Sequence, residues 1–160
     1  LRNLHLHLTK NPFAGRPPHL RGVALSQEFD FHIPEYQRPY AWTSEESGIL
    51  FDDLYAFCME EQADNYSLGS TALIQKDNVL HADAIDGQQR LTTLTILFAC
   101  LAQCLRNNSE AYAGCRNLLC EPGNILAGIP ARPRIHLREL DQAFFYRYIQ
   151  KRGAGPDRAS

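Results

Sequence analysis

Charge of one sign is what this sequence conspicuously lacks: 16 Lys and Arg stand against 18 Asp and Glu, a net charge of −2. That balance leaves no electrostatic footprint for standalone nucleic-acid binding and excludes a dedicated DNA sleeve, though not a local basic pocket. Long apolar runs are missing too. The most apolar stretch, LTILFACLAQCL (94–105), falls short of the ~18–20 uncharged residues that a membrane helix needs. There is no CxxC pair, and no secretory leader is expected. Cys58, Cys100, Cys104, Cys115 and Cys120 make an odd number, and the helical turn between Cys100 and Cys104 suits packing more than pairing. Reduced thiols in a cytoplasm are therefore expected. His5, His7, His19, His32, His81 and His136 are scattered without metal-ligand spacing. No internal repeat or low-complexity tract interrupts the chain.

What is present is globular composition: 44% hydrophobic and 21% charged over 160 residues. One domain of that size can bury a core without disulfides or metal. The start at Leu1 and the polar ending KRGAGPDRAS are expected of a fragment of something longer. The reading divides the chain into an N-terminal segment, partly loop (1–28), a domain (29–150) and a flexible tail (151–160).

Residues 1–27 show no sustained periodicity, and NPFAGRPP reads as a loop. FDFHIPEYQRPYAW (29–42) carries Pro34 and Pro39, which forbid a helix and favour extended backbone. Thr43 and Glu46 have capping-box spacing ahead of a stripe of Leu50, Phe51, Leu54, Phe57 and Cys58, so a helix is predicted over 44–62. YSLGSTALIQ and NVLHADAI read as two short strands around a turn at Lys76–Asn78. Leu91, Leu94, Phe98, Leu101 and Leu105 then repeat at helical spacing from Gly87 to about Arg106, the strongest helix in the sequence. Ser109 caps a shorter helix to about Cys120. RIHL is a further strand, and Asp141 caps a last helix, QAFFYRYIQKR. Strands and helices mix without a regular βαβ rhythm, which gives an α+β class.

The stretch most able to carry chemistry is DAIDGQQRLTTL (83–94): a strand, a tight turn, three polar side chains and a helix start. The first-turn amides and the helix dipole attract an anion there. Gly87 lets a ligand approach the backbone, and Arg90 supplies a planar fork suited to phosphate. Gln88 and Gln89 can orient a phosphate, a base edge or a water. Asp86, which repels phosphate, makes sense as an N-cap or as a Mg²⁺ ligand. Ordinary capping with a solvated Gln-Gln-Arg is the commoner explanation of such a pattern. In IPEYQRPYAW, Tyr36, Arg38, Tyr40 and Trp42 share one parity of an extended chain. Tyr40 and Trp42 read as core anchors. Gln37 and Arg38, held between prolines and aromatics, read as a recognition loop that brings a second arginine to the turn.

These motifs, F-x-I-P-x-Y-Q-R-x-Y-x-W, then L-G-S, then I-D-G-Q-Q-R-L-T-T-L, resemble the GmrS-type N-terminal domain. That domain occurs in modification-dependent (type IV) restriction systems such as GmrSD and SspE, in the ParB/sulfiredoxin fold group. The resemblance runs from about Phe29 to Ile149. It implies a ParB/sulfiredoxin-like small mixed sheet with packed helices, and a domain that binds and hydrolyses NTP (GTP or ATP) with Mg²⁺. On the matching positions it implies catalytic roles for Asp86, Gln88, Gln89 and Arg90, with Asp86 the metal ligand. Nucleotide contacts fall on Gly87, Arg90, Gln37, Arg38, Gly69 and Ser70, and sensing of modified DNA on Tyr36, Gln37 and Arg38. Two departures matter. Sulfiredoxins need a cysteine where Gln88-Gln89 stands, which removes that redox chemistry. Relatives continue into an HNH-type nuclease domain, and this chain has no His-Asn-His constellation, so no nuclease activity is expected of it alone. The implied partners are a nucleotide, modified DNA through the full-length protein, and an HNH-type nuclease domain or subunit, with no membrane. The alternatives are a non-enzymatic ParB-like DNA- or partner-binding module and, less well supported by one carboxylate, a ParB-like nuclease acting through Asp86 and a metal.

Overall fold

The computed structural model describes residues 2–9, 30–60, 65–75, 79–124, 126, 128 and 130–151. In chain order the elements are β1 (Arg2–Thr9), β2 (Asp30–His32), α1 (Ser44–Met59), β3 (Asn65–Gln75), β4 (His81–Ala84), α2 (Gln88–Cys104) and α3 (Ser109–Leu119). Then come β5 (Cys120–Glu121), β6 (Arg132–Pro133), β7 (Ile135–His136) and α4 (Glu139–Phe145), which runs into a π-helical turn, Tyr146–Gln150. Five strands form one mixed sheet in the order β1-β3-β4-β2-β7, and β5 and β6 pair as a separate ribbon. The class is α+β, as the mixture of patterns implied. Among the described residues no helix is long and apolar enough to cross a membrane.

The sheet is antiparallel on one side and parallel on the other. β3 pairs antiparallel with β1 and with β4, whereas β2 runs parallel to both β4 and β7. Phe31, Ala82 and Ile135 share one register level and are buried, which fixes the inward face. Against it lie Leu91, Leu94 and Phe98 of α2, Leu50, Leu54 and Phe57 of α1, and Leu119 and Phe145 from the later helices. Full burial of one such side chain stabilises by about 1.5–3 kcal/mol, so this cluster holds the sheet to the helices.

The structure revises several local readings. The capping box of Thr43 and Glu46 is formed, but α1 ends at Met59, and residues 61–64 lie outside the described ones. Its stripe is narrower than the sequence pattern, since Phe51 and Cys58 are exposed. In α2, Leu101 also reaches solvent, and Ala99 and Ala102 take over the packed face where α3 comes close. Asn108, not Ser109, caps α3. Asp141 is not a cap: α4 begins at Glu139, and Asp141 instead pairs with Arg138 at 2.6 Å. β1 is a strand where no element was expected. Leu4, Leu6 and Leu8 alternate with His5 and His7 in it, a period-two signal readable in the sequence. The loop expected at 11–18 and the turn at 76–78 lie outside the described residues.

Candidate functional site

The Asp86–Gly87 bend is built by what lies beneath it. Ile85 and Asp86 both donate their amides to the Ala72 carbonyl of β3, at 2.8 and 3.3 Å, which stops β4 and turns the chain. Gly87 then adopts φ +81, a left-handed conformation open mainly to glycine. A Cβ there would collide with the hydroxyl of Thr71, a fully buried residue of β3. Gly87 is the N-cap of α2 and offers no side chain to its amides. The Asp86 carboxylate accepts from the Gly87 N–H at 2.8 Å. Helical bonding starts with Leu91 N–H to Gly87 C=O, so the amides of Gln88, Gln89 and Arg90 precede the ladder.

Polar residues are buried throughout the first turns of α2. Thr92, Thr93 and Thr95 satisfy their hydroxyls on the carbonyls four residues back, at 2.8, 2.8 and 2.9 Å. Gln89, also buried, reaches across to the 34–42 loop. Its Oε1 accepts from the amides of Ala41 (2.8 Å) and Trp42 (3.3 Å), and its Nε2 donates to the Pro39 carbonyl at 3.0 Å. Gln37 answers from the loop, donating to the Ile85 carbonyl at 3.0 Å, and the Tyr40 hydroxyl meets Thr93 at 3.0 Å. Glu35 ties the same loop to the start of α4 as well, its carboxylate accepting the Glu139 amide at 2.6 Å. The loop and the helix start are thereby one piece.

Between them lies a cavity of about 410 Å³ at the carboxyl ends of the parallel strands β2 and β4. That is the edge of a parallel array where ligands commonly bind. Its wall is Gln37, Arg38, Trp42 and the run Ile85–Arg90. Two arginines and one aspartate are among these residues, a net positive charge. The Gln88 Oε1 is buried in this wall with no hydrogen-bond partner.

Arg90 owes its place to Gly69. A β-bulge opposite Leu6/His7 puts Gly69 at φ +88, and a Cβ on it would come within 2.9 Å of the Arg90 guanidinium. The guanidinium therefore packs close against β3 at Gly69. Tyr66 sits within its electrostatic reach. Burial and a hydrogen bond to Asp53 push the Tyr66 phenol above its ordinary range, and the Arg90 charge opposes that rise.

The structure thus brings Asp86, Gly87, Gln88, Gln89, Arg90, Gln37 and Arg38 together around one cavity. Gly69 lies behind Arg90 and not on the wall, and Ser70, exposed on β3, is not on it either. Tyr36 is 71% exposed, on the outside of the loop. Asp86 does not act as the N-cap. Of the two expected core anchors, Trp42 packs half-buried against the core cluster and also lines the cavity, whereas Tyr40 is 37% exposed. Thr71, Glu35 and Thr93 were missed. The Thr-Thr after Arg90 was the available signal for a helix start buried on its polar side.

The histidines also need correcting. On the outward face of the sheet His32 stacks on His81 (ring centroids 3.8 Å) and on His136 (4.4 Å), so three residues far apart in sequence are adjacent in space. Burial, helped by the neighbouring His136 and His81, holds His32 below the ordinary histidine range.

A protein family described as the GmrSD restriction endonuclease, N-terminal domain, matches residues 22–158. No curated protein matches the chain.

Proposed function

Because that match spans most of the chain, the protein belongs to the GmrSD N-terminal domain family, and on this footing we propose that it binds and hydrolyses a nucleoside triphosphate to regulate a modification-dependent DNA restriction system. The observation that carries the reading is the cavity itself, lined by the start of α2, whose amides have no side-chain cap, and by Arg38 and Arg90. Polyphosphate is the anion that such a socket accommodates. Arg90, braced by Gly69, holds phosphate oxygens, and Arg38 closes the opposite side. Trp42 and Gln37 line the part left for the nucleoside of GTP or ATP.

Gln88 is the residue best placed to orient the attacking water, because its buried Oε1 lacks a donor. Asp86 fits a Mg²⁺ ligand. It is exposed at the cavity wall and is a lone carboxylate, as suits an ion that keeps most of its waters. Mg²⁺ would neutralise phosphate charge there. Gln89 serves by holding the loop in place. In the cytoplasmic, ParB/sulfiredoxin-like reading, Tyr36 with Gln37 and Arg38 forms the contact to modified DNA, and cleavage falls to an HNH-type nuclease domain or subunit.

Equilibrium binding of GTP and ATP, with and without Mg²⁺, tests this directly. Arg90→Ala is expected to weaken binding roughly 10–100-fold, the loss of one charge-assisted hydrogen-bonding group. Undiminished binding and phosphate release in that variant would refute the assignment.

A second reading, a binding-only module, is favoured by one observation. Gln89 is wholly engaged with the loop, which leaves a single glutamine to handle water. Nucleotide binding without phosphate release, or modified-DNA binding that needs no nucleotide and falls steeply with salt, would select it.

A further inference from the structure

We propose that the outward face of the sheet holds a divalent transition-metal ion of the zinc type between Asp30, His32 and His136. The site is independent of the nucleotide reading and uses none of its residues.

Strand register gathers the ligands. Asp30 and His32 are two apart on β2 and so share a face, and His136 of β7 lies directly opposite His32. One ligand atom from each of the three lies within 4.8 Å of the others. Asp30 Oδ1 and His136 Nε2 lie 3.1 Å apart, at ion-pair distance, and neither buried atom makes an aligned hydrogen bond. Two atoms about 2.0–2.2 Å from a shared ion, at angles between octahedral and tetrahedral, lie roughly 3.0–3.5 Å apart. The pair therefore also has the spacing of two ligands to one ion. A hydrogen-bonded structural pair would have turned its lone pair and proton toward each other.

Two imidazoles and one carboxylate favour zinc and its first-row neighbours over Mg²⁺ or Ca²⁺, which take all-oxygen sets. Three protein ligands leave a coordination position for water. The planes of His32 and His136 are within 7° of parallel. His81, stacked on the other side of His32 and paired with its own Asp83 at 2.8 Å, holds the His32 ring. Both lone pairs meet one ion when the outer ring, His136, turns about χ2, a broad torsion. Arg132, 3.8 Å from Asp30 Oδ2, balances the carboxylate before the ion arrives.

The experiment uses the full chain stripped with chelator, then titrated with Zn²⁺ against a chromophoric competitor and with Co²⁺ by visible absorption. One ion per chain is expected, with cobalt bands of low coordination number, and excess Mg²⁺ displaces neither metal. Asp30→Asn, which keeps shape and removes charge, is expected to weaken binding at least about tenfold, and His32→Ala with His136→Ala to abolish it. Circular dichroism of the metal-free variants shows whether they fold; should the histidine pair fail to, Asp30→Asn decides alone. No stoichiometric uptake by the native chain, unchanged affinity in Asp30→Asn, or displacement by Mg²⁺ would each overturn the site.

Discussion

Gly87 and Gln89 show how single residues fix the cavity. Gly87→Ala must force a left-handed alanine and drive a methyl into the Thr71 hydroxyl, which is fully buried. Strain and overpacking together are expected to destabilise by about 2–4 kcal/mol, read from the shift of the urea unfolding midpoint. Gln89→Ala removes the acceptor shared by the Ala41 and Trp42 amides and the donor to Pro39. A loss of about 1–3 kcal/mol is expected, with nucleotide affinity falling in parallel because the loop comes loose. Asp-Gly before an apolar helix made the bend legible in the sequence. The side-chain roles were not legible, because Gln89 meets partners 47 to 50 positions away. Local pattern carries no information about which distant carbonyl a buried amide will find.

Elements were legible to the extent that their ends are marked by local chemistry. The Thr43–Glu46 box was visible and is formed, and it titrates. The Thr43 side chain, then its backbone, holds the Glu46 carboxyl below its ordinary range. A lowered folded value means this support is complete above the unfolded value of about 4.3 and is lost as pH falls through the folded one. Glu46→Gln is therefore expected to flatten the acid limb of α1 helicity followed by circular dichroism. An unchanged limb would show that the box adds nothing measurable. The start of α4 was misplaced because its amide is served from outside, by Glu35 more than a hundred residues earlier. The ribbon strands β5 and β6 depend on a similar long-range link, Arg134 to Glu121 at 3.0 Å. Arg134 is 6% exposed and also donates to the Asn117 carbonyl at 2.6 Å. Glu121→Gln is expected to cost on the order of 2 kcal/mol in thermal unfolding, below the figure for a fully buried pair because Glu121 keeps some solvent.

For the whole molecule, composition and mixed patterning were enough for the α+β class, but not for the parallel trio β4-β2-β7. β2 has three residues and β7 two, too short for any periodicity to announce them. Their pairing also hides the histidine cluster, whose members are up to 104 residues apart in the chain and come together only through strand register. The five cysteines are free thiols in the fold. Reductant should leave the unfolding temperature unchanged, and a downward shift would reveal a bridge. Burial pushes the Cys115 and Cys120 thiols up, so alkylation at mildly alkaline pH should label exposed Cys58, Cys100 and Cys104 first, as mass spectrometry can resolve.

The attachment of the 34–42 loop to the head of α2 has one more consequence. With both walls of the cavity riveted to the same rod, an occupant cannot spread them like jaws and must instead tip the rod. α2 runs from Gln88 to Cys104, roughly 25 Å of nearly incompressible lever, with α3 lying along it. A small displacement at the cavity is thereby expected to be carried along α2 to its Cys104 end.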